Sequence, residues 1–333
     1  MPSFRHLTIV AIVILTIMMT LTFSGCSLPT LSPSYEDLAH HYAPVIRQGV
    51  ITNQDYITAM DFDGDWVSNN NWENQPTGDS SAYVYYSVIE SETHWFLFYS
   101  LFHPRNYSYV DCASSFGWCH ENDLESILLV VEKDGTHFGQ PKALETLAYN
   151  FIYLYTFNET VKGNFLKVKE VAVLEGDRPV IYVEALSHGI YGHPGTNSLV
   201  NPVLFRGDVV IYRVGEEAEA PQSMDDVYVS YKLVPIYTTL WSRRADIGDG
   251  NTFDGPFTYR GQELPKSIDG DGYNTDITNT PWGYYQTTGE VLSRGDWFLD
   301  PAKALVYHAN FSGDFSLEYV YNPYLTEMGL MGE

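Results

Sequence analysis

The residues best suited to chemistry stand together at the start of one apolar run. Cys119-His120-Glu121-Asn122-Asp123-Leu124-Glu125 leads straight into Ser126-Ile127-Leu128-Leu129-Val130-Val131. In a strand, side chains at i and i+2 leave the same face, so Asp123 and Glu125 aim two carboxylates at one point. His120, in the preceding loop, reaches the same point. A neutral imidazole with two carboxylates is a shell for a hard divalent cation, calcium or magnesium, and Asp111 supplies a fourth ligand. Such a cation polarises an ester or phosphoryl oxygen or activates water, with His188 or Glu121 as the proton-transfer partner. The competing reading is a solvated strand entry, whose Asp, Asn and Glu simply cap the sheet.

A second polar stretch, Ala185-Leu186-Ser187-His188-Gly189-Ile190-Tyr191, follows a later strand signal. Together the two stretches resemble a known family. The pattern His-x-x-Asp-x-Glu entering a strand is similar to the Gly-His-Arg-His-Asp-Trp-Glu heptapeptide of the necrosis- and ethylene-inducing-peptide-like (NLP) secreted proteins. It is also similar to the His-x-x-Asp-Trp-Glu of vacuolar-protein-sorting-62-type proteins. The stretch around His188 resembles the Ser-His-Gly that these families place after a later strand. The resemblance spans residues 82–194, about a third of the chain. It implies a β-sandwich with a divalent-cation site at one end, in which His120, Asp123 and Glu125 match the family's metal-binding His, Asp and Glu. Asp111 lies near the spacing of its upstream Asp. Cys119 stands where the motif has Gly, Asn122 where it has a second His, and Leu124 where it has Trp. The resemblance therefore implies the fold and the ligands, and not the family's membrane-damaging activity.

Other polar groups carry weaker signals. His103-Pro104-Arg105 closes an apolar run, either lining the same cleft or ending the strand because Pro104 cannot extend a ladder. His188 and His193 flank a Gly-containing turn. Asp61-Phe62-Asp63-Gly64-Asp65 and Asp269-Gly270-Asp271-Gly272 resemble pieces of calcium loops, but Trp72 and Thr280 occupy their twelfth positions, so neither is an EF-hand. No Gly-x-Ser-x-Gly elbow, phosphate-cradling Gly-x-x-x-x-Gly-Lys or His-Glu-x-x-His pair occurs, which removes support from serine-hydrolase, nucleotide-binding and zincin readings.

The chain that must position these groups has 333 residues, 44% of them hydrophobic, and 42 acidic against 18 basic side chains. A net charge of −24 repels phosphate backbones, so nucleic acid is not an expected partner. Arg5, the uncharged run Leu7–Phe23 and Ser24-Gly25-Cys26 read as a signal peptide over 1–26 ending in a lipobox-like site. Lipidated Cys26 would then anchor an exported bacterial lipoprotein to the cell envelope, with residues 27–34 as a tether and 35–333 as a single domain; the alternative is an uncleaved anchor. In an oxidising compartment Cys112 and Cys119 are expected to pair, against the alternative of two free thiols.

Ser34 caps an expected short helix ending at His41. β-branched and aromatic runs at 82–89, 94–102, 124–131, 180–186, 209–214 and 228–234 predict strands, as do 304–310 and 315–321. Residues 144–155 fit a strand or a helix, and 242–289 read as long surface loops. The expectation is an all-β sandwich of mainly antiparallel strands with long loops and a few short helices. Its function is to handle an extracellular small molecule, glycan or lipid head group at a divalent cation, by metal-assisted hydrolysis. The alternatives are a non-catalytic binding module, with Trp66, Trp72 and Trp282-Gly283-Tyr284-Tyr285 as stacking platforms, and a scaffold whose metal is structural. Wild-type protein is expected to incorporate labelled palmitate in a bacterial host and Cys26→Ser to incorporate none; equal labelling of the two refutes the anchor.

Overall fold

The computed structural model describes residues 32–108, 112, 119–157, 160–194, 207–271, 276–284 and 291–332. Cys26, the leader, Asp111 and Tyr285 lie outside the described residues. Helix α1 (Tyr35–His41) starts as its sequence requires: Ser34 Oγ accepts from the Asp37 N–H at 3.0 Å, and Asp37 accepts from the Ser34 N–H at 3.2 Å. Strand β1 (Val45–Val50) leads through a 3-10 turn at Asn53–Asp55 and a short helix α2 (Asn71–Asn74) to a meander. The meander is β2 (Tyr83–Ser91), β3 (His94–Asn106), β4 (His120–Glu132), β5 (Gln140–Ala148) and β6 (Phe151–Thr156). Shorter strands follow: β7 (Val161–Gly163), β8 (Val168–Val171), β9 (Val173–Glu175), β10 (Arg178–Val183), β11 (Ile190–Tyr191), β12 (Asp208–Val214) and β13 (Val229–Pro235). The C-terminal part adds a hairpin, β14 (Phe253–Tyr259) with β15 (Gln262–Ile268). After it come α3 (Asp296–Leu299), α4 (Pro301–His308), β16 (Ala309–Phe311), β17 (Tyr319–Tyr321) and α5 (Pro323–Glu327).

The expected sandwich is replaced by one large mixed sheet that curls until it nearly closes. Among the described residues the strand order is β11-β10-β1-β12-β13-β2-β3-β4-β5-β6-β8, with β9 and β17 added beside β10 and β2. Pairing is antiparallel through the meander and parallel at β1/β10, β12/β13, β13/β2 and β6/β8. At the seam the Thr146 hydroxyl of β5 donates to the Ile190 carbonyl of β11 at 2.6 Å. Gly192 packs here too: a Cβ on it would lie 2.8 Å from Tyr155 and 3.0 Å from Leu144.

Curling gives β3 and β4 two buried faces. Leu97, Tyr99, Leu101, Ile127, Leu129 and Val131 point into the curl, joined by β1, β10 and β12 residues such as Ile46, Ile181 and Tyr212. Phe96, Phe98, Phe102, Leu124, Leu128 and Val130 point outward under the C-terminal part, against Trp241, Trp282, Trp297 and Phe298. A strand buried on both faces reads as a continuous apolar run, which is why these runs showed no alternation.

Two open alternatives are resolved and two local expectations are corrected. Residues 144–155 form most of the β5–β6 hairpin. Residues 304–308 belong to α4, where Pro301 sits at a first-turn position that needs no N–H and the alanines favour the helix; only 309–310 are extended. The region 242–289 contributes the β14–β15 hairpin, and Phe253, Trp282 and Tyr284 are buried core residues, so Trp282 and Tyr284 offer no exposed platform. Strand β3 also runs past Pro104 to Asn106. The Phe102 carbonyl accepts the Thr58 N–H at 3.0 Å, so by strand alternation the Pro104 nitrogen also faces away from β4 and its missing N–H breaks no bond to that strand.

Cys112 and Cys119 form the expected disulfide, with Cα atoms 5.5 Å apart. It ties the start of β4 to the segment after β3. The seam makes a stability prediction: Gly192→Val should cost about 1–3 kcal/mol by overpacking against Tyr155 and Leu144, read as a lower urea midpoint with an unchanged slope.

Candidate functional site

The β3–β4 register places His103 opposite Asp123 and Leu101 opposite Glu125. Asp123 and Glu125 continue the inward row of Ile127, Leu129 and Val131, so the two share one face of the strand. The row breaks at Asn122, whose φ of 60° is left-handed, a conformation Asn tolerates better than most residues. Its amide is bound on several sides: Nδ2 donates to the Ser68 and Asp269 carbonyls at 3.0 and 2.8 Å, and Oδ1 accepts from Asn71 at 2.7 Å. As a result Glu121 turns away from Asp123. Its oxygens accept the Trp72 N–H at 2.7 Å and the Asp271 N–H at 3.0 Å, joining α2 to the loop after β15. Arg105 stacks over Trp72 at 4.5 Å and completes that corner.

His120 does not hydrogen-bond to Asp123 or Glu125. Its Nδ1–H donates to the Asn122 carbonyl at 2.8 Å, beside the Thr278 hydroxyl, which donates to the same oxygen at 2.8 Å. Nε2 has no hydrogen-bond partner among the described residues.

Asp123 is instead held by His188, which the β10–β11 connection delivers to the inside of the curl. His188 is fully buried; Nδ1 donates to Asp123 Oδ2 at 2.9 Å, and Nε2 donates to Asp55 Oδ1 at 3.3 Å. Burial alone would lower the imidazole, but the bonds to Asp123 and Asp55 outweigh it and hold the group at about 9. Asn106 Nδ2 also donates to Asp123 Oδ2, at 3.4 Å. His103 stacks on His188 with centroids 3.8 Å apart and planes 6° from parallel, and its Nε2 meets Gln48 Oε1 at 3.3 Å. Burial and the neighbouring His188 charge keep His103 neutral, well below the ordinary imidazole value. Leu186 and His188 both adopt left-handed backbone, with φ of 74° and 50°. Such strain persists only where other contacts over-determine it, here the Leu186 N–H bond to Asp55 Oδ1 at 2.7 Å and the two His188 pairs.

Glu125 accepts the Tyr149 N–H at 3.0 Å. Burial first, then the charge of Asp123, then that of Glu184, push its carboxyl well above the usual range. No lysine or arginine pairs with Asp123 or Glu125 among the described residues. Asp123 Oδ1 and Glu125 Oε2 have no hydrogen-bond partner among the described residues either. Two hard oxygen donors on one face, one in a carboxyl whose charged form lacks a counter-charge, fit a divalent cation. Among the described residues, the groups of three whose ligand atoms all lie within 4.8 Å of one another are Glu73 with Glu121 and Asp271, and Asp254 with Asp269 and Asp276; His120, Asp123 and Glu125 do not form such a group. The two acidic groups divide the 269–272 motif between them. Residues 61–65 form a turn in which Gly64 N donates to Asp61 O at 2.9 Å.

Sequence reasoning missed Gln48, Asp55 and Glu184 as buried members of this end of the sheet. Asp55 lies in an Asn-Gln-Asp turn with no local hint of its partners; only fully buried contacts distant in sequence identify it.

No family model matches the chain, and no curated protein matches it. Comparison with solved structures returns NLP structures, the family that the His120 and His188 stretches resemble, over about half of the chain. Necrosis and ethylene inducing protein 2 from the agent of cocoa's witches' broom disease is 14% identical with a TM-score of 0.33, covering 50% of this chain and 70% of that one. The non-toxic HaNLP3 protein is 12% identical with a TM-score of 0.34, covering 62% and 77%. NLPPya in complex with glucosamine is 16% identical with a TM-score of 0.30, covering 49% and 70%.

Glu121 makes a pH prediction. Burial raises its carboxyl from 4.5 to about 7, so the folded chain keeps a proton that the unfolded chain has lost. Its contribution to stability therefore declines as pH rises from about 4.5 to 7. In chelator-treated protein, Glu121→Gln should remove this decline. Its stability relative to wild type should improve by on the order of 2–3 kcal/mol between about pH 5 and about pH 8 in urea unfolding.

Proposed function

We propose that the protein is an exported, lipid-anchored binding module that holds calcium or magnesium at one end of its curled sheet. Through that ion it would recognise a small extracellular glycan or lipid head group. Asp123 and Glu125 are the central ligands, His120 presents Nε2 as a further donor, and Asp111 is the fourth residue of the set. The observation that carries this reading is the pair Asp123 and Glu125. They share a buried face, each with an oxygen lacking a protein donor among the described residues; His188 pairs with Asp123, and no lysine, arginine or histidine pairs with Glu125 among the described residues. The bound ion supplies positive charge beside Glu125 and a centre that hydroxyl or phosphoryl oxygens can ligate.

A non-catalytic role is favoured over metal-assisted hydrolysis because the two candidate proton-transfer groups are committed to the protein itself. His188 is enclosed with both nitrogens on carboxylates, and both Glu121 oxygens accept backbone N–H groups. In this reading they position neighbours and do not exchange protons with a ligand.

Titration calorimetry on chelator-treated protein tests the reading. Wild type should bind one calcium or magnesium ion, and Asp123→Asn or Glu125→Gln should weaken binding roughly tenfold or more. Glucosamine, bound in one of the similar structures, is a first ligand probe, to be added with and without the ion. Absence of binding for both ions refutes the site, and turnover of an ester, phosphoester or glycoside substrate refutes the non-catalytic role.

A further inference from the structure

We propose that Asp55 is a positioning residue for the cation ligand Asp123, acting through the buried His188 ring. The inference rests on the reading of Asp123 as a ligand, and it concerns a residue that no motif in the sequence marks.

The two oxygens of Asp55 divide their partners. Oδ2 serves the turn: it accepts the Ile51 and Thr52 N–H groups at 2.8 and 3.2 Å and the Tyr107 hydroxyl at 2.6 Å. Oδ1 serves the β10–β11 loop: it accepts the Leu186 N–H at 2.7 Å and His188 Nε2 at 3.3 Å. A carboxylate needed only to close the turn would require only the first oxygen. The second oxygen reaches across more than a hundred residues of sequence to set the height and tilt of one imidazole. His103 fixes the remaining rotation of that ring by stacking on it, and Gln48 in turn holds His103.

The far side of the ring meets Asp123. Nδ1 occupies Oδ2 together with Asn106, so the carboxylate plane is defined by two donors and Oδ1 is the oxygen left over. An imidazole bonded at both nitrogens has no freedom to follow Asp123 if it swings, because leaving Asp55 would leave the buried Nε2 without its hydrogen-bond partner. Removing the Asp55 anchor should let His188 and Asp123 move as a unit, and a ligand displaced by a fraction of an ångström binds its ion less tightly. Outer partners of metal ligands typically contribute roughly 10–100-fold in affinity.

The experiment uses two readouts on the full chain. The first needs no metal: the histidine-ring 15N–1H spectrum of chelator-treated wild type should show two exchange-protected N–H protons on His188, and Asp55→Asn should lose the one on Nε2. The second is calcium titration by calorimetry. Asp55→Asn should bind roughly 10–100-fold more weakly than wild type. Tyr107→Phe, which removes the hydroxyl that donates to Asp55 Oδ2 and accepts from Thr52 but leaves Oδ1 and His188 untouched, should bind within about twofold of wild type even if both variants lose similar thermal stability. His188→Gln leaves Asp55 and its turn in place and should weaken binding by a similar factor; it carries the test if Asp55→Asn does not fold. Wild-type binding that Asp123→Asn abolishes but Asp55→Asn and His188→Gln leave unchanged overturns this inference and spares the cation site. Protected ring protons with no cation binding in wild type overturn both. A ring with fewer than two protected N–H protons overturns the relay alone.

Discussion

A positive imidazole buried between two carboxylates is the constraint on which this end of the molecule depends. Asp55 follows β1, Asp123 lies in β4 and His188 in the β10–β11 connection, so the interaction draws three distant segments to one place. A lone buried charge at any of the three positions would be costly, and each is tolerated only because the others are present with good hydrogen-bond geometry. The two left-handed residues around Ser187 are part of the same arrangement, since the loop must contort to bring the ring inside.

The site sits where it does because the sheet curls. Mixed pairing lets β1 and β10–β13 fold back over the meander, and the seam between β5 and β11 is tight enough that glycine at 192 and a Thr146 hydrogen bond close it. Curling puts Asp123 and Glu125 at the end of an otherwise apolar interior, where a carboxylate without a counter-charge is unfavourable. The C-terminal part covers the outer face with Trp241, Trp282, Trp297 and Phe298. It also supplies the loop whose Asp269 carbonyl and Asp271 N–H pin Asn122 and Glu121. The β4 entry is thereby held from inside and outside at once.

One asparagine decides how the β4 entry differs from a regular strand: Asn122, opposite Pro104, takes a left-handed backbone. One consequence is that Glu121 and Asp123, which a strict alternation would place on one face, part to different surroundings. Another is that the Asn122 carbonyl captures His120 Nδ1. The local departure from strand geometry therefore sets both the direction of Glu121 and the hydrogen bond of His120 Nδ1.

Much of this was legible from the chain alone where the cause is local. The Ser34 cap, the runs that became β2, β3, β4, β10, β12 and β13, the shared face of Asp123 and Glu125, and the pairing of Cys112 with Cys119 follow from backbone sterics, strand period and short loop length. Residues 304–308 suit a strand by their apolar run, and Pro301 with the alanines around it tips them into α4. The sandwich expectation gave way because continuous apolar runs say that both faces are covered, not by what. Asp55, His188 and Asp123 could not be joined from sequence, since charges separated by 68 and 65 residues meet only when a particular curvature brings their strands together. Residue type and spacing determined which groups were available; the closure of the sheet decided which of them face one another, because burial of charge is settled by contacts that no local pattern encodes.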